Sequence, residues 1–246
     1  MDRAPRRRSL NHMDADLRWM LNHRVCCAFS TAVDGDLRDP ELRRAWLDRV
    51  GAHGRCAVLR QVHGATVVEA DAESSPAALA DAQITTDLGL SLMAFGADCP
   101  GLCLAAPDLI GVAHCGWRGT AAGIVTALVG EMTRRSQDPP QAFAAFIGPG
   151  IAAEDYEVDE PVLSARPWPP ASIRPERPGH AWLDLAQAIA ADLQAAGVVE
   201  VRVAVPRTGQ DGRLRSYRRH GAGLVQGLVA WRVDDEIVEK SAIIGE

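Results

Sequence analysis

Gly96–Thr120 reads GADCPGLCLAAPDLIGVAHCGWRGT, and the reading of this stretch decides the fold. It begins at the end of an apolar run, Ser91–Ala97, that Asp98-Cys99-Pro100 closes. A second run, Ile110-Gly111-Val112-Ala113, leads into His114 and a glycine-rich turn, Gly116-Trp117-Arg118-Gly119. Short apolar runs bounded by turn residues read as strands, so the stretch is expected to be strand, loop, strand, turn, helix. Polar groups placed where backbones stop are where pockets open. His63, in Arg60-Gln61-Val62-His63-Gly64, interrupts a strand expected at Ala57–Val62 that resumes at Thr66-Val67-Val68. His63, Cys99 and His114 are the candidate functional triplet.

Working outward, Leu17–Leu21 is expected to close a short helix before a strand over Arg24–Phe29. Asp39 reads as an N-cap with Pro40 in the first helical turn, and Gly51 stops that helix. Gln83–Thr86 is short and β-prone, while Ala77–Ala82 fits either state. Thr120 is expected to cap a helix carrying Ile124, Val125, Leu128, Val129 and Met132 on one face. Ala142–Ile147 reads as a buried strand, residues 164–180 as a surface loop, and Asp184 as the cap of a helix ended by Gly197. Val201–Val205 is the last expected strand, and Gly223–Trp231 is apolar enough to pack on the core. Several strands follow one another directly, which favours a mixed-sheet α/β or α+β fold over a doubly wound one. No GxGxxG or GxxxxGK[ST] pattern supports a dinucleotide fold or a P-loop.

With 246 residues and no Pro/Gly/Ser linker between patterned halves, one domain over 23–246 is expected, after a flexible or partly helical segment over 1–22. A formal net charge of -6 gives no nucleic-acid signature. The basic start, Arg3 and Arg6–Arg8, lacks the apolar core of a signal peptide, and no apolar run is long enough to span a membrane. A cytoplasmic protein is expected. Its six cysteines form no CxxC pair and read as reduced thiols.

Two imidazoles and a thiolate suit zinc or copper, but His63, Cys99 and His114 lie too far apart in sequence for a finger knuckle. Ligands from three element ends would make a catalytic site with an open position. The same residues allow a metal-free reading, with Cys99 as nucleophile and a histidine as its base. Asp98 reads either as a partner fixing a histidine tautomer or as a turn cap. Arg118, in a turn before a helix, would suit phosphate or carboxylate, or would be a plain surface arginine. Cys115 adjoins His114 and, if the strand continues, points to the opposite face.

Taken together, Gln61–Gly64 (QVHG), Ala97–Pro100 (ADCP), His114–Gly119 (HCGWRG), Ile147–Pro149 (IGP), Leu183–Leu185 (LDL) and Ser216–Arg219 (SYRR) resemble the multicopper polyphenol oxidase or laccase-domain family, whose members were later described as purine nucleoside phosphorylases. The resemblance covers roughly residues 23–220 and implies an α/β domain of layered α-β-β-α type, resembling cysteine-hydrolase toxin-like folds. It implies that His63, Cys99 and His114 hold a metal, usually described as zinc, with copper the alternative. It further implies phosphorolysis of adenosine, inosine, guanosine or methylthioadenosine with inorganic phosphate, plus deamination of adenosine. Partners would be small molecules rather than nucleic-acid polymers or membranes, in a monomer or homodimer. Competing readings are a copper-dependent polyphenol oxidase, a Cys/His hydrolase of cell-wall or amide substrates, and a non-catalytic protein stabilised by zinc. The chain departs from the family pattern at Ala32, where an arginine is usual, at Cys115 and Gly150, and at Arg207-Thr208, where a Cys-Thr pair is usual.

Overall fold

The computed structural model describes residues 17–21, 24–70 and 78–233. In chain order, β1 (Arg18–Leu21) and β2 (Val25–Phe29) precede helix α1 (Pro40–Val50). Strands β3 (Arg55–Ala57), β4 (Val67–Glu69), β5 (Ala82–Thr85), β6 (Leu90–Gly96), β7 (Gly101–Ala105) and β8 (Ile110–His114) then lead to α2 (Trp117–Ala121) and α3 (Ile124–Ser136). The rest comprises β9 (Ala144–Ile147), β10 (Glu157–Val158), α4 (Glu160–Leu163), β11 (Ile173–Pro175), β12 (Ala181–Leu183), α5 (Leu185–Ala195), β13 (Glu200–Val203), α6 (Tyr217–His220) and β14 (Gln226–Arg232).

These form a mixed α/β fold with two main sheets. One has the order β1-β2-β14-β6-β3, the other β13-β9-β7-β8-β5-β4, and a small sheet has the order β10-β12-β11. Three buried clusters show how the layers stack. Trp46, Leu47 and Val50 of α1 pack on Met93, Val229 and Trp231 of the first sheet. Phe29, Leu92 and Leu228 on its other face meet Cys103, Val112 and Phe146 of the second sheet. The far face of the second sheet, with Ile84, Leu102 and Ile147, is covered by Leu128 and Met132 of α3 and Ile189 and Leu193 of α5. Each large apolar side chain so buried contributes about 1.5–3 kcal/mol against an entropy cost of similar total size. No helix of the described residues is long and apolar enough to cross a membrane.

Several local expectations need correction. Leu17–Leu21 is not helical. Leu17 and Leu21 are fully buried, but four-residue spacing fits either period, and Trp19 between them stacks near Phe146 at 4.3 Å. That period of two makes β1, paired with β2. Ala57–Val62 and Thr66–Val68 are not one interrupted strand: β3 ends at Ala57 and pairs with β6, while β4 lies in the other sheet. The expected loop after Cys99 contains β7, whose five residues are all buried. A strand covered on both faces shows no alternation for a sequence reading to find. Thr120 lies inside the short α2, and the long helix starts instead after Gly123, whose left-handed backbone (φ 88°) breaks the two apart. The surface stretch 164–180 contributes β11 to the small sheet, and Gly223–Trp231 holds all but the last residue of the central strand β14.

Candidate metal centre

Strand register brings the three candidate ligands together. Gly101 of β7 lies opposite His114 of β8, so Cys99, in the turn entering β7, meets the end of β8. The Cys115 N–H, just beyond β8, donates to the Pro100 carbonyl at 2.9 Å and holds the two ends together. β5 runs antiparallel to β8 with Ala82 opposite Ala113, which places Asp81 beside His114. His63 arrives from the loop between β3 and β4. Gln61 fixes the start of that loop by exchanging two hydrogen bonds with the Phe95 backbone, at 2.9 and 2.7 Å. One ligand atom from each of His63, Cys99 and His114 lies within 4.8 Å of the others.

Asp81 is the residue that sequence reading missed. Its carboxylate accepts hydrogen bonds from the backbone N–H groups of Val62, His63 and Gly64, at 3.1, 2.9 and 2.7 Å. The same Oδ1 that holds the His63 N–H lies 2.9 Å from His114 Nδ1. One side chain thus fixes the loop carrying the first histidine and the ring of the second. His63 takes a left-handed backbone (φ 61°) within this clamp, a conformation uncommon outside glycine. With Nδ1 of His114 engaged, Nε2 is left for a ligand. The tautomer-fixing role considered for Asp98 belongs to Asp81. Asp98 instead accepts from the Thr208 hydroxyl at 2.6 Å and the Arg218 N–H at 2.8 Å, tying the turn before Cys99 to the C-terminal segments.

Burial and neighbouring charge oppose each other at three members of the cluster. Burial pushes the Cys99 thiol up, but hydrogen bonding and charge from His114 and His63 overcome it and bring the thiol down to about 7. His114 is opposed by burial but held up to about 9 by Asp81 and Cys99. Burial also opposes the Asp81 charge, yet His114 and the three backbone donors lower its carboxyl to about 2.

The donor set fits a metal, and the local backbone makes room for one. A Cβ on Gly116 would lie 3.0 Å from Cys99 Sγ, 3.0 Å from His63 Cδ2 and 3.4 Å from His114 Cε1. Cys115 does not join the group. It is fully buried in the cluster between the second sheet and its helices, and burial pushes its thiol far up. Three protein ligands with no fourth among the described residues leave a position open. All six cysteines are free thiols. Arg118 lies within α2, exposed, with its guanidinium 4.2 Å from the Trp117 ring centroid.

Residues 32–232 match the model of the family described as multi-copper polyphenol oxidoreductase laccase. The chain belongs to this family. Among its relatives is a protein of Deinococcus radiodurans named purine nucleoside phosphorylase, 40% identical over 168 residues, covering 66% of this chain and 64% of the relative. The Streptomyces coelicolor protein named purine nucleoside phosphorylase SCO2081 is 32% identical over 170 residues, 67% of this chain and 70% of the relative. Some matches span under half of the relative's length, as with 46% of the Geobacillus stearothermophilus protein named purine nucleoside phosphorylase YlmD. The crystal structure of that YlmD superposes with a TM-score of 0.78 at 25% identity, covering 89% of this chain and all of the other. Neisseria meningitidis protein NMB0706 superposes with a TM-score of 0.77 at 26% identity, covering 85% of this chain and 95% of the other.

Proposed function

We propose that the chain is a metal-dependent purine nucleoside phosphorylase, built as one catalytic domain over 23–246. The observation that carries this reading is the open His63/Cys99/His114 donor set, within 4.8 Å and braced by Asp81, in a chain whose relatives bear that name. Adenosine, inosine, guanosine and methylthioadenosine are the substrates, with deamination of adenosine as a side activity. In phosphorolysis a phosphate oxygen bonds to C1′ as the C1′–N9 bond breaks. The bonding pair leaves on the purine, which takes up the proton that phosphate gives up. His63, Cys99 and His114 would hold zinc, or copper, while Asp81 keeps the Nδ1 side of His114 occupied and Arg118 supplies charge for phosphate. A bound metal supplies Lewis acidity at its open position. Six unpaired thiols go with a reducing cytoplasmic setting, and a monomer or homodimer suffices for such a site.

Copper-dependent oxidation of phenols is the second reading, and on donor chemistry it is the better backed. Two imidazoles and a thiolate bind copper more tightly than zinc, and the matched family's own description names a laccase. Against it, the described residues hold one such cluster, where a multicopper oxidase needs several copper centres. A third reading, a metal-free hydrolase resembling cysteine-hydrolase toxin-like folds, draws on the lowered Cys99 thiol.

One experiment separates these readings. Protein freed of metal, then loaded with zinc or copper, is given adenosine with and without phosphate, a phenol with dioxygen, and an amide substrate. Phosphate-dependent adenine and ribose 1-phosphate are expected, with some inosine and ammonia without phosphate. Phenol oxidation by the copper form exceeding all nucleoside turnover would replace the first reading with the second, and amide cleavage by metal-free protein would replace it with the third.

A further inference from the structure

The second sheet ends at β13, and no strand of the described residues pairs with its outer side. The Ala204 N–H donates to the Ile147 carbonyl of β9 at 2.9 Å. Backbone groups of successive strand residues point to alternate sides, so Arg202 and Ala204 face β9 while Val201 and Val203 face out of the edge. Native proteins blunt such an edge with lysine, proline or a bulge. Residues 199–205 read VEVRVAV and contain neither lysine nor proline. Three of the valines are exposed, Val199 by 73%, Val203 by 38% and Val205 by 84%. Glu200 and Arg202 bond to each other at 2.7 Å, and Arg202 also donates to the Met20 carbonyl of β1 at 3.3 Å. These two side chains lie on the face toward the first sheet, and Val201 packs on the opposite face, in the cluster under α5. Helix α5, which covers β9 and β13, exposes Gln187, Gln194 and Ala195 and no charged residue. A surface helix ordinarily turns charged groups outward, as α1 does with Glu41, Arg44, Asp48 and Arg49.

We propose that the free edge of β13 is the contact between two copies of this chain, paired antiparallel about a two-fold axis through Val201. With the axis there, Val201 faces the partner's Val201 and Val199 faces the partner's Val203. Both are hydrogen-bonded pairs, because these are the residues whose backbone groups point outward. Glu200 then faces the partner's Arg202, and Arg202 the partner's Glu200, in the closer non-hydrogen-bonded pairs where opposite charges attract most. Moving the axis to Glu200 or Arg202 would set like charges against each other. The strand is thus complementary to itself in charge and in backbone donors, as a two-fold contact between identical patches requires. The two six-stranded sheets become continuous, with the uncharged flanks of both α5 helices on one side. The contact shares no residue with the metal centre and does not depend on the reaction proposed above.

The test is sedimentation velocity of the full chain over a range of concentrations, with circular dichroism to establish that each variant is folded. The parent should sediment as a dimer that dissociates on dilution. Val203→Pro removes an outward N–H and no bond to β9, so the fold should stand while the dimer weakens about tenfold or more. Glu200→Arg and Arg202→Glu each set like charges opposite one another twice in the dimer, and each should weaken it about tenfold. The double variant Glu200→Arg/Arg202→Glu reverses both members of each pair and should recover the parent's dimer. Val33→Lys, at a valine 93% exposed between β2 and α1, is the control and should leave dissociation unchanged. A parent that is a monomer at every concentration overturns the proposal. So does a dimer indifferent to Val203→Pro, or a folded double variant no better paired than the single ones.

Discussion

At the scale of single residues, Asp81 carries more of the site than any ligand. Its two oxygens satisfy three backbone donors and one imidazole. Asparagine keeps the shape but replaces one acceptor oxygen by an NH2 group, which would face a donor whichever way the amide turns. Asp81→Asn should therefore weaken metal binding by about 10–100-fold, as loss of a partner behind a ligating histidine does. The stability of metal-free protein should change with pH in a matching way. The lowered Asp81 carboxyl gives stability present above its ordinary 3.8 and lost as pH falls toward about 2. The raised His114 gives stability present below its ordinary 6.5 and lost as pH rises through about 9. The pair thus contributes fully between about pH 4 and 6.5, and the fall in melting temperature from pH 6.5 to 9 should be smaller in Asp81→Asn than in the parent. Equal slopes in both proteins would remove Asp81 from the His114 titration.

At the scale of elements, the site was legible where the sequence changes character abruptly and illegible where contact is long-range. The cysteine and second histidine stand at apolar-run ends, and β6 and β8 appear there as expected. The α1 cap at Asp39 with Pro40 and the Asp184 cap of α5 were equally readable, because capping is a local contest for backbone donors. Asp81 was not, since its partners come from residues 62–64 and 114, and only the β5–β8 register shows that they meet. β7 was lost because a strand buried on both faces has no polar side to mark its period. The turn between β8 and α2 adds a prediction of its own. Gly116 has an ordinary backbone (φ -68°), so alanine strains nothing there, yet its methyl would press on Cys99 and both histidines. Gly116→Ala should lower metal affinity, and with it the proposed nucleoside turnover, at least tenfold while the melting temperature of the metal-free protein moves by only a few degrees. Metal affinity equal to the parent's would show that the ligands do not close on that space.

At the scale of the molecule, the question is whether the metal holds the layers together or only occupies a site they have already built. The ligands come from the loop after β3, the turn into β7 and the end of β8, so a metal would tie the turn between the two main sheets to the second sheet. These ends are already joined without it: Gln61 grips the Phe95 backbone, Asp81 grips the loop after β3, and Asp98 binds Thr208. The apolar clusters on either side of both sheets need no metal to form. The site is therefore prearranged, and the metal adds only the stabilisation that any ligand of the native state adds by mass action. Cys115 is the residue that tests this. A zinc with a structural role requires a closed set of four ligands, and Cys115 is the sulfur nearest in sequence to His114. It is fully buried on the helix side of the second sheet, among apolar groups that push its thiol up rather than toward the thiolate a metal needs. Cys115→Ala should keep about one metal ion per chain and the nucleoside turnover proposed above, with a stability loss on the order of 1 kcal/mol for the small cavity. Loss of metal together with the fold in that variant would make Cys115 the fourth ligand and the centre a structural one.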